Sequence, residues 1–396
     1  MNKYVEYAIS RCAYSCYKLF GSRENSEGKA ILVTCFCPIG DTMMVIPFIR
    51  ELRRNYPDYH IGIVTNGIGV QIFETCPYVD EVMLYDDRAR KHQFLHNLKS
   101  TYKFAKEKLV HRNYSMTFCM EYRMSRIVSA WLTLFSGAGR RFAFSETAYT
   151  VEHAQYMGVY DLYFTNLFYD TSVKHDIEKN LDLLKFADAE VGDNSLEVWL
   201  TEKDRENARQ LMEEHGIDDR SKNMIVVLST STREREWPVE RFAAVCKRIN
   251  ADGYGLSFIL LGNGDLARKY ADEFKNYIPE AHNLVDKTTI RESMAVMSMS
   301  RYYFGGDTGP LHMACACQLS GVGIYKYAKN LPVGVYDAVK VLYPWQADIA
   351  VVQPQSYING CEHSCKKEYP HCIAQITEDE VYKILSDRIR KCESGR

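Results

Sequence analysis

At 396 residues the chain is long for one hydrophobic core, so two domains are expected. Apolar residues at 46% and charged residues at 25% are ordinary globular values. A formal net charge of −2 gives no reason to expect bulk electrostatic binding to nucleic acid.

The first residues form a segment of their own. Tyr4, Val5, Ala8, Ile9, Cys12, Cys16, Leu19 and Phe20 recur at helical spacing, interrupted by Arg11 and Lys18. A signal peptide needs an unbroken apolar stretch and a membrane span needs about twenty apolar residues, and neither is present. Residues 1–28 therefore read as an amphipathic extension, packed on the body in preference to lying on a membrane surface.

From Ala30 onward, apolar runs alternate with helical patterns. Strands are expected at Ala30–Phe36, His60–Thr65, Glu81–Tyr85 and Ser115–Cys119, with a helix over Thr42–Asn55. Between Arg88 and Arg112 eight Lys/Arg residues face one Glu. This run is a solvated helix face or a surface for an anionic acceptor or membrane headgroups. An aromatic stretch at Ser145–Tyr169 changes the rhythm before a helix over His175–Phe186. A second alternating series follows, with strands at Met224–Ser229, Leu256–Leu261, Tyr302–Phe304 and Gly321–Tyr325, and a last helix at Glu378–Arg390. Strands separated by helices, in nearly continuous apolar runs, imply parallel sheets covered on both faces. The expected organisation is the extension 1–28, one Rossmann-like α/β domain over 29–175, a second over 176–375, and a terminal helix in 376–396 that packs back on the first domain. Two such doubly wound units leave a cleft, and ligands in open α/β sheets bind beyond the carboxyl ends of the strands.

Four loops fall at those ends. After the first strand comes Pro38-Ile39-Gly40-Asp41-Thr42, where Gly40 allows a tight turn and Asp41 either caps the helix or acts as a general base. After the Met224–Ser229 strand, Thr230, Ser231 and their backbone amides suit phosphate oxygens, and Arg233 or Arg235 adds a forked cation, with Trp237-Pro238 anchoring the loop. Gly262-Asn263-Gly264-Asp265 is a glycine turn whose Asp265 binds ribose hydroxyls or caps the helix. Asp307-Thr308-Gly309-Pro310-Leu311-His312 opens another helix. Free amides of Thr308, Gly309 and Leu311 there, backed by the helix dipole, make a diphosphate site. Asp307 fixes the turn or meets a donor-sugar hydroxyl, and His312 touches a phosphate or holds the loop.

In this order the loops resemble glycosyltransferase family 9, the lipopolysaccharide heptosyltransferases and relatives. The likeness runs from Ile31 to about Ile384 through Ile39-Gly40-Asp41, the Arg-Glu-Trp-Pro segment at Arg235, and Asp307 to His312. Ser136-Gly137-Ala138 before Arg140-Arg141, and His175 ahead of Asn180-Leu181-Asp182, agree with it. The resemblance implies a GT-B fold and an inverting transfer, without a metal or other cofactor, from a donor such as ADP-heptose to a saccharide or glycolipid acceptor. It makes Asp41 the base, puts Arg235 where a cation, usually Lys, stabilises the leaving diphosphate, gives Thr308 and Gly309 the phosphate-binding amides and sets Asp307 beside the donor sugar. Gly323-Ile324-Tyr325-Lys326-Tyr327 departs from the family pattern beside the donor site.

Thirteen scattered cysteines, an odd total, point to a reducing cytosolic setting, with peripheral membrane contact as a further option. Cys361, Cys365 and Cys372 with His363 and His371 admit a zinc reading, but their spacing matches no paired finger, so a structural or free-thiol role is expected. Two rival functions remain. An NAD-dependent oxidoreductase lacks its spaced glycine fingerprint at Cys35–Asp41, and a non-catalytic saccharide- or nucleotide-binding module has no need of Asp41 and Arg235.

Overall fold

The computed structural model describes residues 11, 14–15, 25–86, 94–121, 127–148, 160–217, 222–331, 337–358, 360–361 and 370–394. The chain divides into two units, Met1–Asn194 and Ser195–Arg396.

In the first unit β1 (Ala30–Cys35), β2 (His60–Thr65), β3 (Glu81–Leu84), β4 (Met116–Cys119), β5 (Arg140–Phe144) and β6 (Asn166–Phe168) form one sheet in the order β3-β2-β1-β4-β5-β6. Every pairing is parallel, with Ile31 opposite both Ile61 and Met116. Ala-Ile-Leu-Val-Thr-Cys of β1 is buried along its whole length, as a central strand covered on two faces requires. The helix expected over Thr42–Asn55 is two helices, α1 (Ile39–Met43) and α2 (Ile46–Asn55). Pro47 in the first turn of α2 has no N–H to continue the ladder, so the chain restarts there.

The second unit repeats the plan. Its strands are β7 (Asn223–Val227), β8 (Ser257–Leu260), β9 (His282–Asn283), β10 (Tyr302–Gly306), β11 (Ser320–Ile324) and β12 (Ile349–Val352), in the order β12-β11-β10-β7-β8-β9, all parallel. Renumbered from its first strand, this is the same order as the first sheet. Both reverse direction beside their first strand, between β1 and β4 and between β7 and β10, and the crevice for a ligand opens at such a reversal.

Two boundaries differ from the sequence reading. The first unit runs to Asn194 and takes in α3 (Asp176–Phe186), which was expected to begin the second domain. The reason is a buried carboxylate. Glu51 of α2, only 1% exposed, accepts the amides of Gly192 (2.7 Å) and Asp193 (3.3 Å), while Asn55 exchanges hydrogen bonds with the backbone of Glu190. The chain leaves the first unit only after this clamp. The terminal helix α4 (Glu378–Ser394), expected to return to the first domain, buries Val381, Leu385 and Ile389 in the core of the second, with Phe242, Phe258 and Val322. Of the N-terminal extension, Arg11, Tyr14 and Ser15 are described before Asn25, and Tyr14 sets its ring edge-on to Tyr163 at 5.9 Å. Residues 1–10, 12–13 and 16–24 of the extension and residues 88–93 of the basic run lie outside the described residues. Among the described residues no helix is long and apolar enough to cross a membrane.

Candidate active site

Two groups of side chains gather at the two strand-order reversals, and each is described within its own unit.

At the first reversal, Asp41 is the third residue of α1 and half-buried. The position that caps this helix is Pro38, so Asp41 is not the N-cap. Gly40 lies inside the helical turn, its carbonyl accepting Met44 N–H at 3.2 Å, so it does not form the tight turn expected of it. Two side chains hold the loop before α1. Thr42 Oγ1 donates to Pro38 O (2.9 Å) and Cys37 O (3.2 Å), and Asn66 Nδ2 donates to Cys37 O (3.3 Å). Asn180 of α3 donates to Met44 O at 3.0 Å, while His175 and Glu178 close a capping box at the start of that helix. The landmark His175 and Asn180 therefore brace the turn that carries Asp41.

Glu121, which the sequence reading passed over, sits two residues beyond β4 and is 4% exposed. It accepts the Phe36 amide at 2.5 Å and the Cys119 thiol at 3.2 Å. Burial raises its pKa above the usual carboxylate range, although these donors and Ser129 pull it the other way. The Cys37 thiol is pushed well above its ordinary value by its hydrogen bond with Cys35, by burial, and by the nearby charges of Glu121 and Asp41. The first reversal thus holds an acidic pair around a buried thiol. The signal for Glu121 was present: an acidic residue directly after the buried run Phe118-Cys119-Met120, at the carboxyl end of the strand beside β1.

The second reversal has the opposite sign at its centre. Arg235 ends a short 3-10 turn, Arg233–Arg235, in the loop after β7. Its guanidinium meets Asp307 Oδ2 at 3.4 Å and Tyr327 Oη at 3.3 Å, and lies over the Tyr327 ring at 6.0 Å. Asp307 follows β10, is 2% exposed, and donates its amide to Ile324 O at 2.9 Å. Lys326 pairs with Glu234 at 2.5 Å, so the loop after β11 is bound to the loop after β7 by two neighbouring contacts. Lys326 and Tyr327 belong to the stretch Gly323–Tyr327 noted above, and Tyr327 is its member against the cation.

Thr308 holds the cap position of α5 (Gly309–Ala316) without a capping hydrogen bond from its side chain, and the helix has Pro310 in its first turn. Among the described residues the Thr308 and Gly309 amides have no acceptor. The Leu311 amide does, donating to Thr308 O at 2.9 Å, and this corrects the expectation that it is free. His312 is 3% exposed, and no hydrogen-bond partner reaches its Nδ1 among the described residues. Burial first, then the charge of Arg235, lowers its pKa to about 4, so it is neutral at pH 7.

The remaining predicted residues form the rim. Thr230 donates from Oγ1 to Thr232 O at 2.7 Å and packs its methyl over Gly306, where an added Cβ would come within 2.8 Å. Ser231 is exposed. Gly262 lets the next helix close on the sheet, since a Cβ there would lie 2.9 Å from that of Ala267. Asp265 opens α6 (Asp265–Tyr277) but does not cap it. Gly264 holds the cap position, and Asp265, 98% exposed, pairs with Arg268.

Two parallel doubly wound sheets of one strand order, each with polar side chains at its reversal, define a GT-B fold. Residues 102–367 match the profile described as glycosyltransferase family 9 (heptosyltransferase). The chain belongs to this family and is a glycosyltransferase. It is similar in structure to a family 9 glycosyltransferase from Veillonella parvula DSM 2008 (TM-score 0.75, 18% identity, covering 92% of this chain and 98% of that one). It is also similar to E. coli ADP-heptose lps heptosyltransferase II (TM-score 0.67, 15% identity, 92% and 99%) and E. coli heptosyltransferase WaaC with ADP (TM-score 0.65, 15% identity, 91% and 99%). At these identities the likeness is one of fold. No curated protein sequence matches the chain.

Proposed function

We propose that the chain is an inverting, metal-independent transferase that moves a heptose-like sugar from a nucleotide-diphosphate donor, ADP-linked, onto a lipopolysaccharide-core or other cell-surface saccharide. The observation that carries this reading is at the second reversal: a guanidinium set beside two unengaged amides at a helix N-terminus. Arg235 offers a fork for paired phosphate oxygens, and the Thr308 and Gly309 amides, with the helix dipole behind them, add fixed positive potential. The name of a structural relative, a heptosyltransferase with ADP, supports the choice of nucleotide.

In this reading Asp41 takes the proton of the acceptor hydroxyl as its oxygen attacks the anomeric carbon. A carboxylate is the kind of group that can accept this proton as the hydroxyl turns acidic in the transition state. The bond from the anomeric carbon to the diphosphate oxygen breaks, and its electron pair stays on the diphosphate. Arg235 and the two amides stabilise that charge, the work a divalent cation does elsewhere. Neutral His312 adds no charge of its own, and Asp307 orients Arg235. Asp265 hydrogen-bonds the ribose, and Thr230, Ser231 and Gly262 shape the rim.

The test is a donor screen with an extract of cell-envelope glycolipid as acceptor, following release of ADP, UDP or GDP in the presence of a chelator. Acceptor-dependent release of ADP is expected. Acceptor-dependent release of UDP or GDP in its place would overturn the ADP-linked donor, and loss of all turnover in the chelator would overturn the metal independence.

A place of work at the cytoplasmic face of a membrane fits one further surface. The helix Phe94–Lys108 exposes Leu95 and Tyr102 beside Lys99, Lys103, Lys106 and Lys108. Basic heads around exposed apolar side chains suit an anionic headgroup layer. Flotation with anionic liposomes at low salt is expected, and its absence would remove this part of the proposal.

A further inference from the structure

Away from both reversals, one cluster of side chains combines metal-binding chemistry with metal-binding spacing. Cys361, His371 and Cys372 each bring one ligand atom within 4.8 Å of the other two. Cys361 Sγ lies 3.4 Å from His371 Nε2. A tetrahedral zinc ion, with bonds of about 2.3 Å to sulfur and about 2.0 Å to nitrogen, sets such an edge at about 3.5 Å. The Ile358 amide points at Cys372 Sγ at 3.5 Å, an N–H···S contact that favours sulfur as thiolate. In sequence the cysteines give spacings that fit no paired finger, which is why free thiols were expected. The fold brings together residues ten and eleven positions apart. The connecting segment 362–369, which contains His363 and Cys365, lies outside the described residues.

We propose that Cys361, His371 and Cys372 hold a structural Zn²⁺ ion. Two thiolates and an imidazole select a borderline-soft cation over Mg²⁺ or Ca²⁺, which prefer oxygen. What the ion would hold in place is visible from the hydrogen bonds around it. On one side Trp237 Nε1 and Arg241 donate to Ile376 O (3.1 and 2.9 Å), and Gln375 donates to Ser356 O at 3.2 Å. On the other, Lys329 and Asn330 donate to Pro354 O and Gln355 O (2.8 and 2.9 Å), and Gln353 donates to Tyr327 O at 2.9 Å. The ion closes a brace whose far end carries Tyr327, the residue against Arg235. None of its three ligands is a residue assigned to the reaction, so metal-free chemistry and a metal-held loop coexist in one unit.

The experiment uses the full chain, produced without a polyhistidine tag, loaded with Zn²⁺ and desalted. Elemental analysis is expected to find about one zinc per chain. Loading with Co²⁺ instead is expected to give thiolate-to-metal charge-transfer absorption. Cys372→Ser and His371→Ala lose both signals, and His371→Cys, which keeps a ligand, retains them. Less than about a tenth of an equivalent of zinc on the wild-type chain would overturn the proposal. So would full zinc retention in both Cys361→Ser and Cys372→Ser. Should those variants fail to fold, alkylation of the wild-type chain decides. Zn²⁺ protects Cys361 and Cys372 and a chelator restores labelling if the site exists, whereas equal labelling in both states refutes it. Zinc removal is further expected to raise the donor KM several-fold. That measurement alone rests on the proposed donor site, so it can fail while the zinc content stands.

Discussion

The two sheets have one strand order and opposite electrostatics where it reverses. The first reversal gathers carboxylates, Asp41 and buried Glu121, with Cys37 between their fields. The second gathers a guanidinium, unengaged amides and a buried histidine kept neutral, with Asp307 as counter-ion. Topology therefore supplies two equivalent crevices, and a few side chains at strand ends give each its part. A proton acceptor suits the side that handles a hydroxyl, and fixed positive potential suits the side that handles a diphosphate. Fold alone assigns neither role.

The comparison is broken most sharply at its acidic half. Asp41→Asn keeps size and hydrogen bonding but removes the proton acceptor. It is expected to lower kcat by about 10²–10⁴-fold, the usual contribution of a positioned base, with the donor KM little changed. Steady-state kinetics with a saturating donor measure this, and a kcat within a few-fold of wild type would take the base away from Asp41.

At the cationic half, Arg235→Ala is expected to lower kcat by about 10²–10³-fold, since it removes fixed charge at the leaving group. ADP binding should weaken as well. The change also leaves Asp307 buried without its cation, which costs about 1–3 kcal/mol of stability. Arg235→Lys restores charge without the fork and should recover part of the rate. If Arg235→Ala lowered the melting temperature but left kcat intact, the arginine would be only a counter-ion for Asp307.

How much of this was legible before folding depends on the kind of signal. The central strands were read almost to the residue because a strand buried on both faces must be apolar throughout. β5 was missed because it opens Arg140-Arg141. The second arginine is fully buried, and it is tolerated because the carbonyls of Tyr163 and Ala138 each accept its guanidinium at 2.7 Å. β9, an edge strand of two residues, is too brief to show a pattern, and the edge strand β12 was missed although its four residues match β3, β4 and β8 in length. Asp41, Arg235 and Asp307 were singled out because glycine, proline and charge at a strand end form local signals. Glu121, with no glycine or proline beside it, was passed over, and Tyr327 was noted only as part of a departure from the family pattern beside the donor site.

Glu121 sharpens the comparison through pH. Burial raises its folded pKa above the unfolded value of about 4.3. Below that value the group is protonated in both states and the fold carries no penalty. As pH rises through the folded pKa the buried group must ionise, and stability is lost. Glu121→Gln cannot ionise. Melting temperatures measured from about pH 4 to about pH 8 should therefore fall more steeply for wild type than for the variant. Parallel curves would show that the carboxylate keeps an ordinary pKa.

The smallest expected effect separates the rim from the centre. Asp265 is almost wholly exposed and its pairing with Arg268 is a surface one, so Asp265→Ala should change stability by less than about 0.5 kcal/mol. A ribose hydrogen bond worth about 1 kcal/mol would nonetheless raise the donor KM about five-fold with kcat unchanged. That split distinguishes a binding contact, used equally in ground and transition states, from the charge stabilisation assigned to Arg235. Unchanged KM would return Asp265 to solvent and confine donor recognition to the loops after β7 and β10.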